Sequence, residues 1–380
     1  MKRILFIIPK LSTGGTNSSL DSLYLQLKNR FDIRVFSLSH QPISHNYSFN
    51  EVLLPQDTLL TLIYANFSDQ RGIYKIEAFF IKTLKIILKV ICVDYGRLRG
   101  TRVAHYLEQE VGFDYVVGYQ EGTATTFASL FSNPNKIAWI HCDYNKYLPQ
   151  NKSEKELYAN FKKIISVSEY TTSVFANRYP YLSDRTQTIQ NLIDTSRILK
   201  LAETPIDDSR FLINGVTLLS AGRFHTVKRF SKIPEVASSL KQKGLRFMWY
   251  VLGPEYSDEE LSAYHANLIK YDVDDCVKWL GGKSNPYSYF AAANIYVCLS
   301  ESEACPMVFK EAKLLGLPII TTDFPSSYEF VHDNDGIITS IDNLPESIAD
   351  MIQRIERGFR LQSGSDDNQE IIDKISALFD

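Results

Sequence analysis

The stretch Ile295–Thr321, IYVCLSESEACPMVFKEAKLLGLPIIT, decides the fold class. Ile295–Leu299 and Ile319–Thr321 are short apolar runs bounded by turn residues, the pattern of strands buried on both faces. Between them lies a segment of helical length. The sequence predicts that this helix carries Pro306 in its first turn, where a missing N–H leaves no intrahelical bond unmade. Gly316 closes the helix and Pro318 leads into the next strand. Strand, helix and strand in this order form a parallel crossover, and a parallel sheet needs helices on both faces.

The same alternation runs through nearly the whole chain, which predicts an α/β protein. Upstream of the quoted stretch, strands are expected at Val216–Ala221, Phe247–Leu252 and Val277–Leu280. The first half has its own set at Arg3–Pro9, Ile33–Leu38, Glu51–Leu54, Tyr115–Tyr119, Ile137–His141 and Ile164–Val167, with helices that include Ser18–Asn29, Ile73–Ile91 and Thr101–Glu110. Leu201–Arg210 (LAETPIDDSR) is polar, holds a proline and lacks apolar periodicity, so it is the expected linker. A chain of 380 residues exceeds the size at which one core keeps growing. Two Rossmann-like, doubly wound domains facing across a cleft are therefore expected, over 1–200 and 201–365, with 366–380 a C-terminal helix that can return to the first domain. Ligands of such sheets bind outside the C-terminal ends of the strands.

Composition narrows the class. Hydrophobic residues make up 44% and charged residues 22%, ordinary for a soluble globular protein. The five cysteines form no CxxC pair, so neither a zinc site nor a disulfide framework is expected, and a reducing cytoplasm suits the chain. No run approaches the 18 or so uninterrupted apolar residues of a membrane span. Residues 1–190 carry 22 Lys+Arg against 16 Asp+Glu, and the remainder 19 against 28, which points to different partners for the two halves.

The strand ends hold the candidate chemistry. After the first strand, Gly14 and Gly15 sit ahead of a helix, where bare amides and the helix dipole favour an anion. Neither GxGxxG nor GxxxxGK[ST] is present, which argues against nicotinamide and ATP-loop chemistry. His141 closes the fifth strand with Asp143 two residues on; the histidine can donate to a sugar hydroxyl and the carboxylate can orient it or an acceptor. Ser168 is placed to cap a helix. In the second half, Arg223 and Lys228 follow a strand end and Gly222, able to turn a planar fork and a mobile charge toward one anion. Glu303 and Glu311 bracket the start of the quoted helix, whose amides near Cys305, Met307 and Val308 suit a pyrophosphate. Carboxylates in so apolar a setting are costly unless they meet hydroxyls or cations.

These residues, taken in order, resemble the retaining GT-B glycosyltransferases of family four, whose relatives include glycogen and sucrose synthases. The likeness rests on Gly14-Gly15, His141, Ser168-Glu169, Asn191-Leu192-Ile193-Asp194, Gly222-Arg223 with Lys228, Tyr250-Val251-Leu252-Gly253, and Glu303-x7-Glu311 with Gly316-Leu317-Pro318-Ile319-Ile320. It implies that Arg223 and Lys228 hold the donor diphosphate, that Glu311 binds ribose, that Glu303 lies by the transferred sugar, and that His141 contacts that sugar. It implies transfer of a hexose-type sugar from a UDP- or GDP-sugar, with retained configuration, to a glycan or lipid-linked glycan of a cell-surface polysaccharide or glycolipid; the sequence shows no metal-ligand cluster, so no metal or other cofactor is expected. Three positions depart from the pattern: Ala304 for glycine, Arg229 for a small residue, and Leu192 within the NGxD-like turn. A catalytically silent GT-B-shaped binding protein is the second reading, and a nucleotide-dependent oxidoreductase the third. No nucleic-acid partner is expected.

Residues 71–105 carry eight Lys+Arg against Glu77 and Asp94. On a helix, Lys82, Lys85 and Lys89 would share one face and Phe80, Leu84, Ile87, Leu88 and Ile91 another. This suits either a surface helix or peripheral docking on an anionic membrane at its cytoplasmic face, a question for flotation with anionic liposomes.

Overall fold

The computed structural model describes residues 1–11, 14–39, 47–49, 52–53, 95–147, 154–362, 364 and 368–380. The expected helix Ile73–Ile91 and the basic residues of 71–94 lie outside them. The chain divides into two units, Met1–Ile193 with Asn368–Asp380, and Asp194–Asp367.

In the first unit seven described strands form one sheet: β1 (Arg3–Ile8), β2 (Asp32–Ser37), β3 (Val52–Leu53), β4 (Tyr115–Gly118), β5 (Lys136–Ile140), β6 (Lys163–Ser166) and β7 (Thr186–Thr188). Their order is β3-β2-β1-β4-β5-β6-β7, and each pair is parallel. Ile4 to Ile8 are all fully buried, as a strand covered on both faces requires. A Cβ on Gly118, the last residue of β4, would meet the Thr125 Cα at 2.8 Å, so only glycine lets the helix Thr123–Ala128 lie this close to the sheet. The C-terminal helix Asn368–Phe379 belongs to this unit. Phe379 sets its ring edge-on against Phe6, Phe31 and Tyr115, and Asn368 donates to the Ile193 carbonyl at 2.9 Å.

The second unit repeats the plan with β8 (Val216–Ala221), β9 (Phe247–Leu252), β10 (Val277–Gly281), β11 (Ile295–Cys298), β12 (Ile319–Thr322) and β13 (Gly336–Thr339). The order is β10-β9-β8-β11-β12-β13, again parallel throughout. Neighbouring residues on a strand feed opposite faces: Leu218 and Trp249 pack in one apolar layer, Leu219 and Tyr250 in the other. Both sheets reverse direction of build beside their first strand, between β1 and β4 and between β8 and β11, and these are the places where such sheets take ligands.

Two sequence expectations change here. Pro306 is not in the helix: it flanks it with ψ 99°, the helix runs Met307–Leu314, and Phe309 N–H returns to the Pro306 carbonyl at 3.0 Å. Proline's missing N–H is equally harmless one residue earlier, so the sequence signal cannot separate the two positions. Leu201–Arg210 lies inside the second unit rather than between units. Its first residues end the helix Thr195–Ala202, and Asp208 accepts from Arg210 at 2.7 Å and from Lys283 at 2.6 Å. The hydrogen bond from Arg210, with help from Lys283, holds the Asp208 carboxyl well below the usual range. A polar stretch pinned by ion pairs reads as a linker because its contacts are not apolar.

Candidate functional site

The loops after β8 and β11 meet at the switch point of the second sheet. Glu301 N–H donates to the Val227 carbonyl at 2.8 Å, and Arg229 pairs with Glu301 at 3.4 Å. The short 3-10 turn Thr226–Lys228 is capped by His225, and Arg229 follows in the left-handed region at φ 52°. Beneath it the ends of β8 and β9 touch: a Cβ on Gly253 would fall 1.6 Å from the Gly222 carbonyl oxygen. That crossing admits no side chain, which explains the glycine of Tyr250-Val251-Leu252-Gly253.

This loop pairing brings Lys228 onto Glu303, whose Oε1 accepts from the ammonium. Ser300 Oγ donates to the same oxygen at 2.6 Å, and Ser326 Oγ donates to the Glu303 backbone carbonyl at 2.6 Å. Thr322, at the end of β12, donates to the Ser300 carbonyl at 2.5 Å. Glu303 is thus fixed at both its carboxylate and its backbone. Burial works most strongly against the charge on Lys228, but the Glu303 carboxylate, by charge and hydrogen bond, together with Cys298 holds the pKa above the ordinary lysine value. The charge of Arg223 is felt at Lys228 too and works weakly against its own. Arg223 itself is exposed, its guanidinium 4.7 Å from the ring centre of Tyr256.

Met307, Val308 and Phe309 open the helix, and no side chain caps it. Met307 and Phe309 are buried, and Cys305 and Val308 lie partly buried against the same core layer. Glu311 sits one turn inside. Burial raises its carboxyl to about 7, opposed by a hydrogen bond of 3.1 Å from the Tyr287 hydroxyl. Burial, with the charges of Cys298, Glu303 and Glu311, drives the Tyr296 hydroxyl well above the tyrosine range. A cation pair, a helix start with undressed amides and two carboxylates can take a ligand that is anionic in the middle and hydroxylated at both ends.

In the first unit Gly14 flanks the helix Gly15–Leu27 in extended conformation, and a Cβ there would meet open space. His141 follows β5 directly. Its backbone N–H donates to Glu121 at 2.9 Å, and its ring lies 4.6 Å from that of Tyr119 and 6.4 Å from that of Trp139. Burial pushes the imidazole down to about 3, so it is neutral at physiological pH. Both ring nitrogens lack a hydrogen-bond partner among the described residues. Asp143 therefore does not orient His141, one of the two roles the sequence offered it; it accepts from Asn145 N–H at 2.9 Å and from the Tyr170 hydroxyl at 3.3 Å. Two residues on, past the strand end, the chain turns and carries the carboxylate to a different neighbour. Ser168 caps the helix Glu169–Arg178 as expected, accepting from Thr171 N–H.

Sequence reasoning missed Ser300, Ser326 and Tyr287. Ser300 stands three residues before Glu303 and was within reach of a spacing argument; the other two arrive from separate elements.

Among the described residues, no His, Cys, Asp and Glu side chains group as a metal ion would need, and no helix is long and apolar enough to cross a membrane. Residues 207–363 match the family model described as glycosyl transferases group 1. A glycosyltransferase of Haemophilus influenzae, itself uncharacterized, is 22% identical over 72% of this chain and 74% of its own length. The amylovoran biosynthesis glycosyltransferase AmsK of Erwinia amylovora is 26% identical over 37% of this chain and 36% of its own. Among solved structures, Anabaena Alr3699/HepE in complex with UDP and glucose superposes with a TM-score of 0.67 at 15% identity, covering 100% of this chain and 95% of that one. At such identity the likeness speaks for the fold, which is GT-B.

Proposed function

We propose that this chain, which matches the glycosyl transferases group 1 family model over residues 207–363 and carries the GT-B fold, is a glycosyltransferase that moves a hexose-type sugar, with retained configuration, from a nucleoside diphosphate sugar to a glycan or lipid-linked glycan. The observation that carries this reading is the Lys228–Glu303 ion pair at the start of the helix Met307–Leu314, with Glu311 one turn inside. Lys228, Arg223 and the amides of Met307 and Val308 hold the diphosphate. As the bond from the sugar's anomeric carbon to the phosphate oxygen breaks, negative charge grows on that phosphate, and these fixed donors stabilise it. The leaving diphosphate helps take the proton of the attacking acceptor hydroxyl. Glu311 accepts from ribose hydroxyls and Glu303 from the sugar. Gly14 and Gly15 offer a helix start to an anionic part of the donor, and His141 offers a neutral ring nitrogen to a sugar hydroxyl.

The name of the AmsK relative supports surface polysaccharide synthesis as the setting, and HepE bound to UDP and glucose supports a uridine donor class. Docking of the basic segment 71–105 on an anionic membrane from the cytoplasmic side stays part of the proposal and fits a lipid-linked acceptor.

A panel of nucleotide sugars read by thermal shift tests the reading. A ligand that binds only the native state raises the melting point, by about 2.7 kcal/mol of stability at 100 times its Kd. UDP- or GDP-sugars should do so and NAD(P) should not. A panel in which only NAD(P) shifts the transition would favour the oxidoreductase reading instead.

A further inference from the structure

Tyr287 opens the helix Tyr287–Ala292, far in sequence from the Glu303-x7-Glu311 motif. It is fixed at both ends. Its backbone N–H donates to Asn285 Oδ1 at 3.1 Å, and Asn285 Nδ2 donates in turn to the Leu201 carbonyl at 2.9 Å, the end of the helix Thr195–Ala202. Its hydroxyl donates to Glu311 Oε1 at 3.1 Å, the one hydrogen bond the Glu311 carboxylate makes among the described residues. The phenol is a permanent donor: burial, with Glu311 beside it, drives its own ionisation far above the tyrosine range.

We infer that Tyr287 is a positioning residue for the nucleotide, holding one oxygen of the Glu311 carboxylate so that the other faces the paired hydroxyls of the ribose. This rests on the function proposed above. A carboxylate without such an anchor would sample several rotamers and lose part of its binding free energy in ordering. The bond also favours the ionised form, the one that accepts from two hydroxyls. The charges of Arg197 and Asp194 act on the phenol in opposite directions, and Glu311 in turn acts on the buried Tyr296 hydroxyl.

Calorimetry with UDP and with GDP, on wild type and Tyr287→Phe between pH 5.5 and 8.5, tests the inference. Tyr287→Phe should weaken binding about tenfold at pH 7, the size expected for one hydrogen bond to a charged group, and should move the pH midpoint of binding upward. In the ligand-free protein the Glu311 carboxyl resonance should titrate at higher pH in the variant. A loosened fold would weaken binding equally with Glu311 or Gln at position 311, so the same change is made in Glu311→Gln, where positioning predicts no further effect on the pH profile. Wild type that binds while Tyr287→Phe keeps the same affinity and midpoint would overturn the role of Tyr287 alone. Wild type that binds neither nucleotide would overturn the functional reading together with it.

Discussion

Lys228→Ala should lower the transfer rate by about 100–1000-fold at saturating donor, the usual cost of removing one preorganised donor from a developing anion. The effect is expected in kcat because the charge on the leaving phosphate grows as the bond breaks. Lys228 is already charged and held: only 21% of its side chain is exposed, and Glu303 and the 3-10 turn fix it before any ligand arrives. No reorganisation is needed at the moment of reaction, which is what makes a fixed cation effective. Glu303 would keep its Ser300 bond in the variant, so the fold around the loop should survive, and the melting point measured alongside would show it. A variant turning over at the wild-type rate would remove Lys228 from the mechanism.

Glu311→Gln should weaken nucleoside diphosphate binding by about 100-fold at pH 8, through loss of two charge-assisted hydrogen bonds from ribose. The same change should stabilise the ligand-free protein. The carboxyl titrates near 4.5 when unfolded and about 7 when folded. The native state therefore holds the proton longer, and stability falls as pH rises from about 4.5 to 7. Above that window the penalty is constant, at most ~3 kcal/mol for a fully buried group and less for one partly open to water. Glutamine does not titrate, so the variant should melt above wild type at pH 8 and close to level with it at pH 4, below the unfolded-state pKa. A carboxylate kept at the expense of stability is what a binding site requires. Melting curves with equal differences at both pH values would contradict the account of Glu311.

How much of this was legible in sequence depends on what each residue touches. The long strands were, because Ile4–Ile8 and Phe247–Leu252 are apolar on both faces and no other element suits such runs. The edge strands β7 and β13 were not: Thr186–Thr188 is polar and only partly buried, and Gly336–Thr339 is four partly buried residues after a polar turn. Glu303 and Lys228 could be marked as candidates because strand ends of a parallel sheet are known ligand places, and both follow a strand. Tyr287 was invisible for the opposite reason. Its role comes from the packing of one helix against another, and nothing in NPYSYF marks a hydroxyl that meets a carboxylate 24 residues on. His141 was placed correctly at a strand end, yet the direction of Asp143 depended on a turn whose geometry its residues do not state.

The central claim is that the helix Met307–Leu314 and Lys228 bind one diphosphate. A crystal structure of the full chain with UDP tests it most directly. The account places a phosphate oxygen within hydrogen-bond distance of the Met307 and Val308 amides and of Lys228 Nζ, with the ribose hydroxyls on Glu311. Diphosphate bound elsewhere on the chain, with Lys228 and the helix start untouched, would contradict it.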